Sequence, residues 1–451
     1  MSIPTSQLSL EEKRALARKL LAQKATNPAA AAPKVTPVAL EDDEGLLGIE
    51  AQKAELARLD LQNPYFRGHD TVNSATVMMG NKSYINFAGY NYLGFSGHPR
   101  VSQAAKDAID TYGTSVSASR VASGEIPLHG QLERKLAALC RAESAIVYVS
   151  GYGTNVSTIG HLFGPQDLIL HDALIHNSAL IGAQLSGARR QIFRHNDMVH
   201  LEDLLRSTKG QHRRVLIVAE GVYSMDGDIA PLDDLIRLKK QYNAVLMVDE
   251  AHSMGVLGAT GRGIGELFDI QPQDVDLWMG TLSKSFASCG GYIAGSTRII
   301  EYLRYSAPGF VYSVGLSPPD TAAALAAADL LEQQPSQVLR LRQNSELFLS
   351  LAKQAGLDTG PSGGSGVVPV IVGSSGVALR LAEALGDSGI NVQPIFYPAV
   401  EADAARLRFF ISSTHSSEQI EHTIKTIARL LKNIRALPPL DSPIFGDAPQ
   451  F

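Results

Sequence analysis

From Val101 onward the chain alternates helical stretches with short, almost continuous apolar runs: Ala145-Ile146-Val147-Tyr148-Val149, Leu168-Ile169-Leu170, Val215-Leu216-Ile217-Val218, Ala244-Val245-Leu246-Met247-Val248 and Leu277-Trp278-Met279. Runs of this kind are strands covered on both faces. Each is followed by polar or glycine-rich residues and then a helical pattern, which predicts βαβ units in a mostly parallel sheet. Upstream, the pattern predicts a helix from about Asp43 to Leu61 and short strands at Thr71 to Met79 and Ser83 to Phe87. Downstream it predicts one long helical stretch from Asp320 to about Ala355, a loop from Gly360 to Gly366, and strands near Val367 to Val372 and Leu407 to Ile411. The expected organisation is an α/β chain with an N-terminal segment over 41–95, a large α/β domain over 96–335 and a smaller C-terminal α+β domain over 336–451. Residues 1–40 read differently, as a charged helix from Leu8 to Leu21 capped by Ser9, then an Ala/Pro-rich linker from Ala25 to Val38.

Composition narrows the function. Among 451 residues, 45 acidic side chains face 40 basic ones, a net charge of -5, which argues against nucleic acid or an anionic membrane as partner. Cys140 and Cys289 form neither a metal-ligand spacing nor a disulfide framework, so no metal and a reducing, cytoplasmic setting are expected. No run approaches the roughly 20 apolar residues of a membrane helix.

Ligands of open parallel sheets sit beyond the carboxyl ends of the strands. The polar residues cluster there: Ser150-Gly151-Tyr152-Gly153, His171-Asp172, Glu220-Gly221, Asp249-Glu250-Ala251-His252 and Gly280-Thr281-Leu282-Ser283-Lys284. Taken alone, Asp249 and His252 fit a capping Asp with a His packed beside it equally well. The balance shifts with Lys284, at another strand end. A lysine in a desolvated crevice loses basicity and can form a Schiff base, and pyridoxal phosphate needs such a lysine together with an acid facing its ring nitrogen. The turn at Ser150 to Asn155 follows a strand and opens a helix, so its N–H groups can receive a dianion. Most such turns only redirect the chain. His176 fits either a helix-start histidine or a flat group stacked on a pyridine ring.

Several ordered motifs carry a resemblance. They are Asn91-Tyr92-Leu93-Gly94, Ser119-Arg120 with Ser123-Gly124 and His129, Ser150 to Asn155, Asp172 to His176, Glu220 to Asp228, Asp249 to Gly255, Thr281-Leu282-Ser283-Lys284 and Arg406-Leu407-Arg408. Together, over about residues 45–435, they resemble the α-oxoamine synthase family of fold-type I pyridoxal-phosphate transferases. The likeness does not extend to residues 1–40. It implies pyridoxal 5'-phosphate as cofactor, Lys284 as the Schiff-base lysine, Asp249 as partner of the ring nitrogen and His176 as the stacking residue. His252 and Ser224 match positions near the phenolic oxygen. Gly151, Tyr152 and Thr281 match phosphate donors, and Ser313 a phosphate contact from the neighbouring subunit of a homodimer. Arg408 matches the residue that holds the amino-acid carboxylate, with Asn91 also on the substrate side.

The implied reaction is a decarboxylating Claisen condensation of a small amino acid with an acyl thioester, giving an α-aminoketone, CO2 and a free thiol. Rival readings are another pyridoxal-phosphate reaction on the same fold and a non-catalytic subunit, against which Lys284 argues. The 8-amino-7-oxononanoate synthases carry an arginine where this chain has Phe396. Gly124 to His129 and Asn391 to Val400 instead look like members associated with polyketide synthases, which makes an acyl carrier protein the expected donor, with coenzyme A as the alternative.

Overall fold

The computed structural model describes residues 39–440 apart from Pro398 and Pro439, so the helix and linker expected within residues 8–38 lie outside the described residues. A helix over Glu44–Arg58 leads to the hairpin of β1 (Thr76–Met79) and β2 (Lys82–Asn86). The first strand is shorter than the expected Thr71 to Met79, because the Thr71 hydroxyl accepts from Met78 N at 3.1 Å and turns the segment back on the strand.

The central sheet contains β3 (Ser144–Tyr148), β4 (Leu168–Asp172), β5 (Arg189–Phe193), β6 (Val215–Glu220), β7 (Val245–Asp249), β8 (Leu277–Thr281) and β9 (Gly291–Gly295), in the order β3-β9-β8-β7-β6-β4-β5. Every neighbouring pair is parallel except the two made by β9. All five apolar runs are strands. Successive residues alternate between two cores: Ile217, Ala219, Leu246 and Val248 enter one, while Leu216, Val218 and Met247 enter the other.

Two strands escape the apolar pattern. β5 is an edge strand whose Arg189 and Arg190 are exposed, a charged edge that discourages further pairing. β9 is bounded by glycines that read as turn residues, yet they serve close packing. A Cβ on Gly291 would lie 2.7 Å from Gly151 Cα, and one on Gly280 would strike the Tyr292 ring at 2.3 Å. The expected single helix from Asp320 to Ala355 is two helices, Pro318–Gln333 and Pro335–Gln354. Pro335 lacks the N–H and disfavours helical geometry at Gln334, which sits at φ -126° and ψ 59°.

In the C-terminal region β10 (Val367–Gly373), β12 (Gln393–Ile395) and β13 (Ala405–Phe410) form an antiparallel sheet in the order β10-β13-β12. β11 (Ile390–Asn391) pairs in parallel with β2, joining late sequence to early. Among the described residues no helix is long and apolar enough to cross a membrane.

Candidate active site

Sheet register sets out the site. Asp172, Glu220, Asp249 and Thr281 are the last residues of β4, β6, β7 and β8, four strands adjacent in the sheet. Beyond this row lies a cavity of ≈ 360 Å³ lined by Glu220, Asp249 and Thr281 together with Gly151, Tyr152, His176, Ser224, His252, Lys284 and Arg408. With Tyr90, which also lines it, residues from seven separate stretches of sequence converge on one volume.

Asp249 is buried, and both carboxylate oxygens are engaged. Oδ1 accepts from Ala251 N at 2.9 Å and Oδ2 from Asn155 Nδ2 at 2.8 Å. The turn-capping reading and the functional one thus coexist, since the bond to Ala251 fixes a carboxylate that still lines the cavity. Glu220 is its register partner on β6. Burial, aided by the neighbouring Asp249 charge, pushes the Glu220 carboxyl well above the usual carboxylate range, while Oε1 accepts from His176 N at 2.6 Å.

Lys284 has no hydrogen-bond or ion-pair partner among the described residues, and its Nζ lies 5.8 Å from the centre of the Tyr90 ring. Burial pulls its pKa down to about 8 against the opposing pull of Asp249 and Glu220. The amine is therefore substantially neutral at mildly alkaline pH, as a nucleophile or base must be.

Two histidines face the same volume. His176 caps the helix Asn177–Leu185, its Nδ1 2.7 Å from Ser178 Oγ. His252 Nδ1 meets Tyr92 OH at 2.8 Å, and its ring lies parallel to Phe410, centroids 6.2 Å apart. Burial lowers the pKa of both, and the positive charges of Lys284 and Arg408 lower them further. Both rings are neutral near pH 7.

At one end of the cavity, helix Gly151–Leu162 begins. Ser150 caps it by accepting from Gly153 N at 3.2 Å, which leaves the amides of Gly151 and Tyr152 as its free donors. Thr281 Oγ1 stands beside them, 2.7 Å from where a Cβ on Gly151 would be, so only glycine lets helix and hydroxyl converge. At another side Arg408, on β13, donates from Nη1 to the Ser224 carbonyl at 2.9 Å and rests over Phe410 at 4.7 Å. It has no carboxylate partner among the described residues, and its buried Nε has no acceptor. A guanidinium in that condition awaits an anion.

Two expected residues are not brought to the cavity. Asn91 spends its side chain away from the cavity, donating to Asn73 O, ahead of β1, at 3.1 Å and accepting from Ser96 N at 3.1 Å; its neighbour Tyr90 lines the cavity instead. Ser313 follows the short helix Pro308–Val311 and lies outside the cavity, next to the strongly exposed Tyr312. Conversely, Asn155 and Glu220 belong to the cavity wall and were not expected as site residues in their own right. Both had a signal. Asn155 stands one helical turn after Gly151, on the same face, and Glu220 ends an apolar run as Asp249 does.

The donor set fits pyridoxal phosphate: two helix-start amides and a hydroxyl for a dianion, a fixed carboxylate for a ring nitrogen, an imidazole for the ring face, and an unpaired lysine of lowered basicity. Comparison with known proteins agrees. Residues 82–427 match the family model for aminotransferase class I and II. An 8-amino-7-oxononanoate synthase of Thermosipho melanesiensis is 38% identical over 370 residues, 82% of this chain and 94% of that protein. A serine palmitoyltransferase of S. paucimobilis, solved with bound PLP and myriocin, superposes with a TM-score of 0.82 at 28% identity, covering 86% of this chain and 98% of the other. An 8-amino-7-oxononanoate synthase of Francisella tularensis gives a TM-score of 0.68 at 29% identity, covering 78% and 98%. The chain belongs to the aminotransferase class I and II family, in its α-oxoamine synthase branch of pyridoxal-phosphate-dependent acyltransferases.

Proposed function

We propose that this protein joins a small amino acid to an acyl thioester with loss of CO2 and of the thiol, giving an α-aminoketone. The observation that carries the proposal is the convergence of an unpaired lysine, an anchored carboxylate and a carboxylate-free buried arginine on one cavity. When bound, pyridoxal phosphate supplies an electron sink for a carbanion at the amino acid's α-carbon.

The chain's own residues do the rest. Gly151 N, Tyr152 N and Thr281 Oγ1 would receive the cofactor's phosphate. Asp249 would keep a proton on the ring nitrogen, His176 would cover the ring face, and Ser224 and His252 would stand near the phenolic oxygen. Arg408 Nε and Nη1 take the substrate carboxylate and orient the α-hydrogen. Lys284 Nζ, neutral at the start, accepts that proton. The acyl carbon then bonds to the α-carbon as its C–S bond breaks and the thiol leaves; the bond from the α-carbon to the carboxylate breaks next, and a proton takes its place. Asn91 remains on the substrate side only by acting through its loop, which presents Tyr90.

The acyl donor is proposed to be a carrier-protein thioester, supported by the sequence stretches Gly124 to His129 and Asn391 to Val400. A second reading, an 8-amino-7-oxononanoate synthase-like enzyme using coenzyme A thioesters, is favoured by the relatives just described. Phe396, where the 8-amino-7-oxononanoate synthases carry an arginine, speaks against that second reading: it is buried, in edge contact with the Tyr65 ring, centroids 6.2 Å apart. A homodimer is proposed in which Ser313 completes the partner's phosphate site. Two free cysteines, Cys140 and Cys289, support a reducing, cytoplasmic setting. The deciding experiment is a matrix of amino acids against the same acyl groups on coenzyme A and on a carrier protein, with mass spectrometry of the ketone. Higher kcat/KM with the carrier supports the first donor, and preference for coenzyme A overturns it.

A further inference from the structure

Asn155 donates twice from one nitrogen, to Asp249 Oδ2 at 2.8 Å and to Ser178 Oγ at 2.9 Å. An ionised carboxylate only accepts, so the amide nitrogen must face Asp249, and the Asn155 Oδ1 is left buried without a partner. The orientation is thus imposed by Asp249 at the expense of a buried acceptor. Because the Ser178 oxygen receives a hydrogen from Asn155, its own hydroxyl hydrogen is free to point at His176 Nδ1, 2.7 Å away. The Ser178 backbone N–H points at the same ring nitrogen, at 3.3 Å. His176 Nδ1 is therefore an acceptor from two donors, and the ring proton belongs on Nε2.

We propose that Asn155 and Ser178 are positioning residues that tie Asp249 to His176 through one hydrogen-bonded chain, fixing His176 as the Nε2-protonated imidazole and Asp249 as an acceptor aimed at the ring nitrogen. The four residues come from three elements: Asn155 from the helix after β3, Ser178 and its N-cap His176 from the start of the helix after β4, and Asp249 from the end of β7. The chain therefore couples the group beneath the cofactor ring to the group beside its nitrogen without either touching the other. Asn155 and Ser178 both line the cavity, and the chain assigns them to holding Asp249 and His176.

The inference rests on the proposed places of Asp249 and His176 around the cofactor, and its test separates the two. In apoprotein labelled with 15N-histidine, the His176 signals, identified by their loss in His176→Phe, should be those of a neutral ring protonated at Nε2. Ser178→Ala should shift them, and so should Asn155→Ala, although Asn155 has no hydrogen bond to His176. A proton on Nδ1, or His176 signals indifferent to both substitutions, overturns the chain. Equilibrium dialysis of pyridoxal phosphate supplies the second readout. Asn155→Ala and Ser178→Ala should weaken binding about tenfold and about threefold, less than Asp249→Ala does; equal affinity in all three and wild type would overturn the reading of the ring site itself. Ser178→Ala removes a single oxygen, so it keeps the test open should Asn155→Ala fail to fold.

Discussion

Glu220 and Asp249 are register partners at the ends of β6 and β7, which buries two carboxylates side by side next to Lys284. Burial, with the Asp249 charge beside it, raises the Glu220 carboxyl well above the usual carboxylate range, and both acidic neighbours oppose the burial that lowers the basicity of Lys284. This balance leaves Lys284 only partly held in its charged form.

With its pKa depressed from the usual lysine value to about 8, Lys284 is charged in both folded and unfolded chains below pH 8, and the burial penalty is then fully present. The penalty is relieved as pH rises from about 8 toward the unfolded value, because the unfolded chain holds more protons in that window. Lys284→Met should accordingly stabilise the apoprotein at pH 7 by about 1–3 kcal/mol and lose that advantage near pH 10. Urea unfolding of both proteins across this range is the check. The same amine should react with a small aldehyde and borohydride with a midpoint near pH 8, read by peptide mass spectrometry.

Arg408 presents an unpaired Nε and an Nη1 shared with the Ser224 carbonyl. Lysine cannot reproduce that planar fork. Arg408→Lys should raise the amino acid's KM about 10- to 100-fold while the KM for the thioester stays within about twofold, consistent with loss of one charge-assisted hydrogen bond. Steady-state kinetics with each substrate varied in turn decides it, and equal rises in both constants would place Arg408 elsewhere.

The loops that carry His176 and Ser224 are pinned together away from the cavity. His195 donates from Nδ1 to Asp172 at 2.8 Å and from Nε2 to Asp228 at 2.7 Å. Burial works against its charge, but the two carboxylates prevail and raise its pKa to about 10. Its stabilisation is complete below the unfolded value near 6.5 and is lost as pH climbs through about 10. His195→Gln should cost about 2 kcal/mol at pH 6, allowing for its partial exposure, and much less at pH 10.5. A cost that did not change with pH would mean that packing against the Tyr223 ring, not charge, is the larger contribution.

A shared site makes a prediction that a self-contained one does not. Ser313→Asp sets a charge against the partner's phosphate, and Lys284→Ala removes the Schiff-base amine, so each homodimer should be inactive. Mixing and reassembling the two should restore about a quarter of wild-type activity, since half the dimers are mixed and one of their two sites is intact. Light scattering showing a fully active monomer, or no recovery on mixing, removes Ser313 from the site.

How far the sequence led depended on what kind of signal each feature leaves. The five apolar strands and the residues at their ends were legible because burial on both faces forces continuous apolar runs, and because the chemistry stands at the last strand position. β5 was not, since an edge strand with Arg189 and Arg190 exposed has no such run. Neither was β9, whose glycines answer to Gly151 and Tyr148 across the sheet rather than to any local turn. Lys284 and Asp249 carry chemistry in their own side chains and are legible as a pair at two strand ends, while Arg408 is legible only through the resemblance of Arg406-Leu407-Arg408. Asn155 and Glu220 matter through helical phase and register: their signals, one turn after Gly151 and the end of an apolar run, gain meaning once β6 and β7 are aligned. Asn91 is the opposite case: its motif was legible, while its side chain is bonded to Asn73 and Ser96 and Tyr90 faces the cavity.

The central claim is that carbon–carbon bond formation, thiol release and decarboxylation occur at one site around Lys284. Holoenzyme supplied with a carboxyl-labelled amino acid and an acyl thioester should release labelled CO2 and free thiol in a one-to-one ratio, with an equal amount of α-aminoketone, and Lys284→Ala should release neither. Thiol release without CO2, CO2 release that does not need the thioester, or undiminished turnover in Lys284→Ala would contradict it.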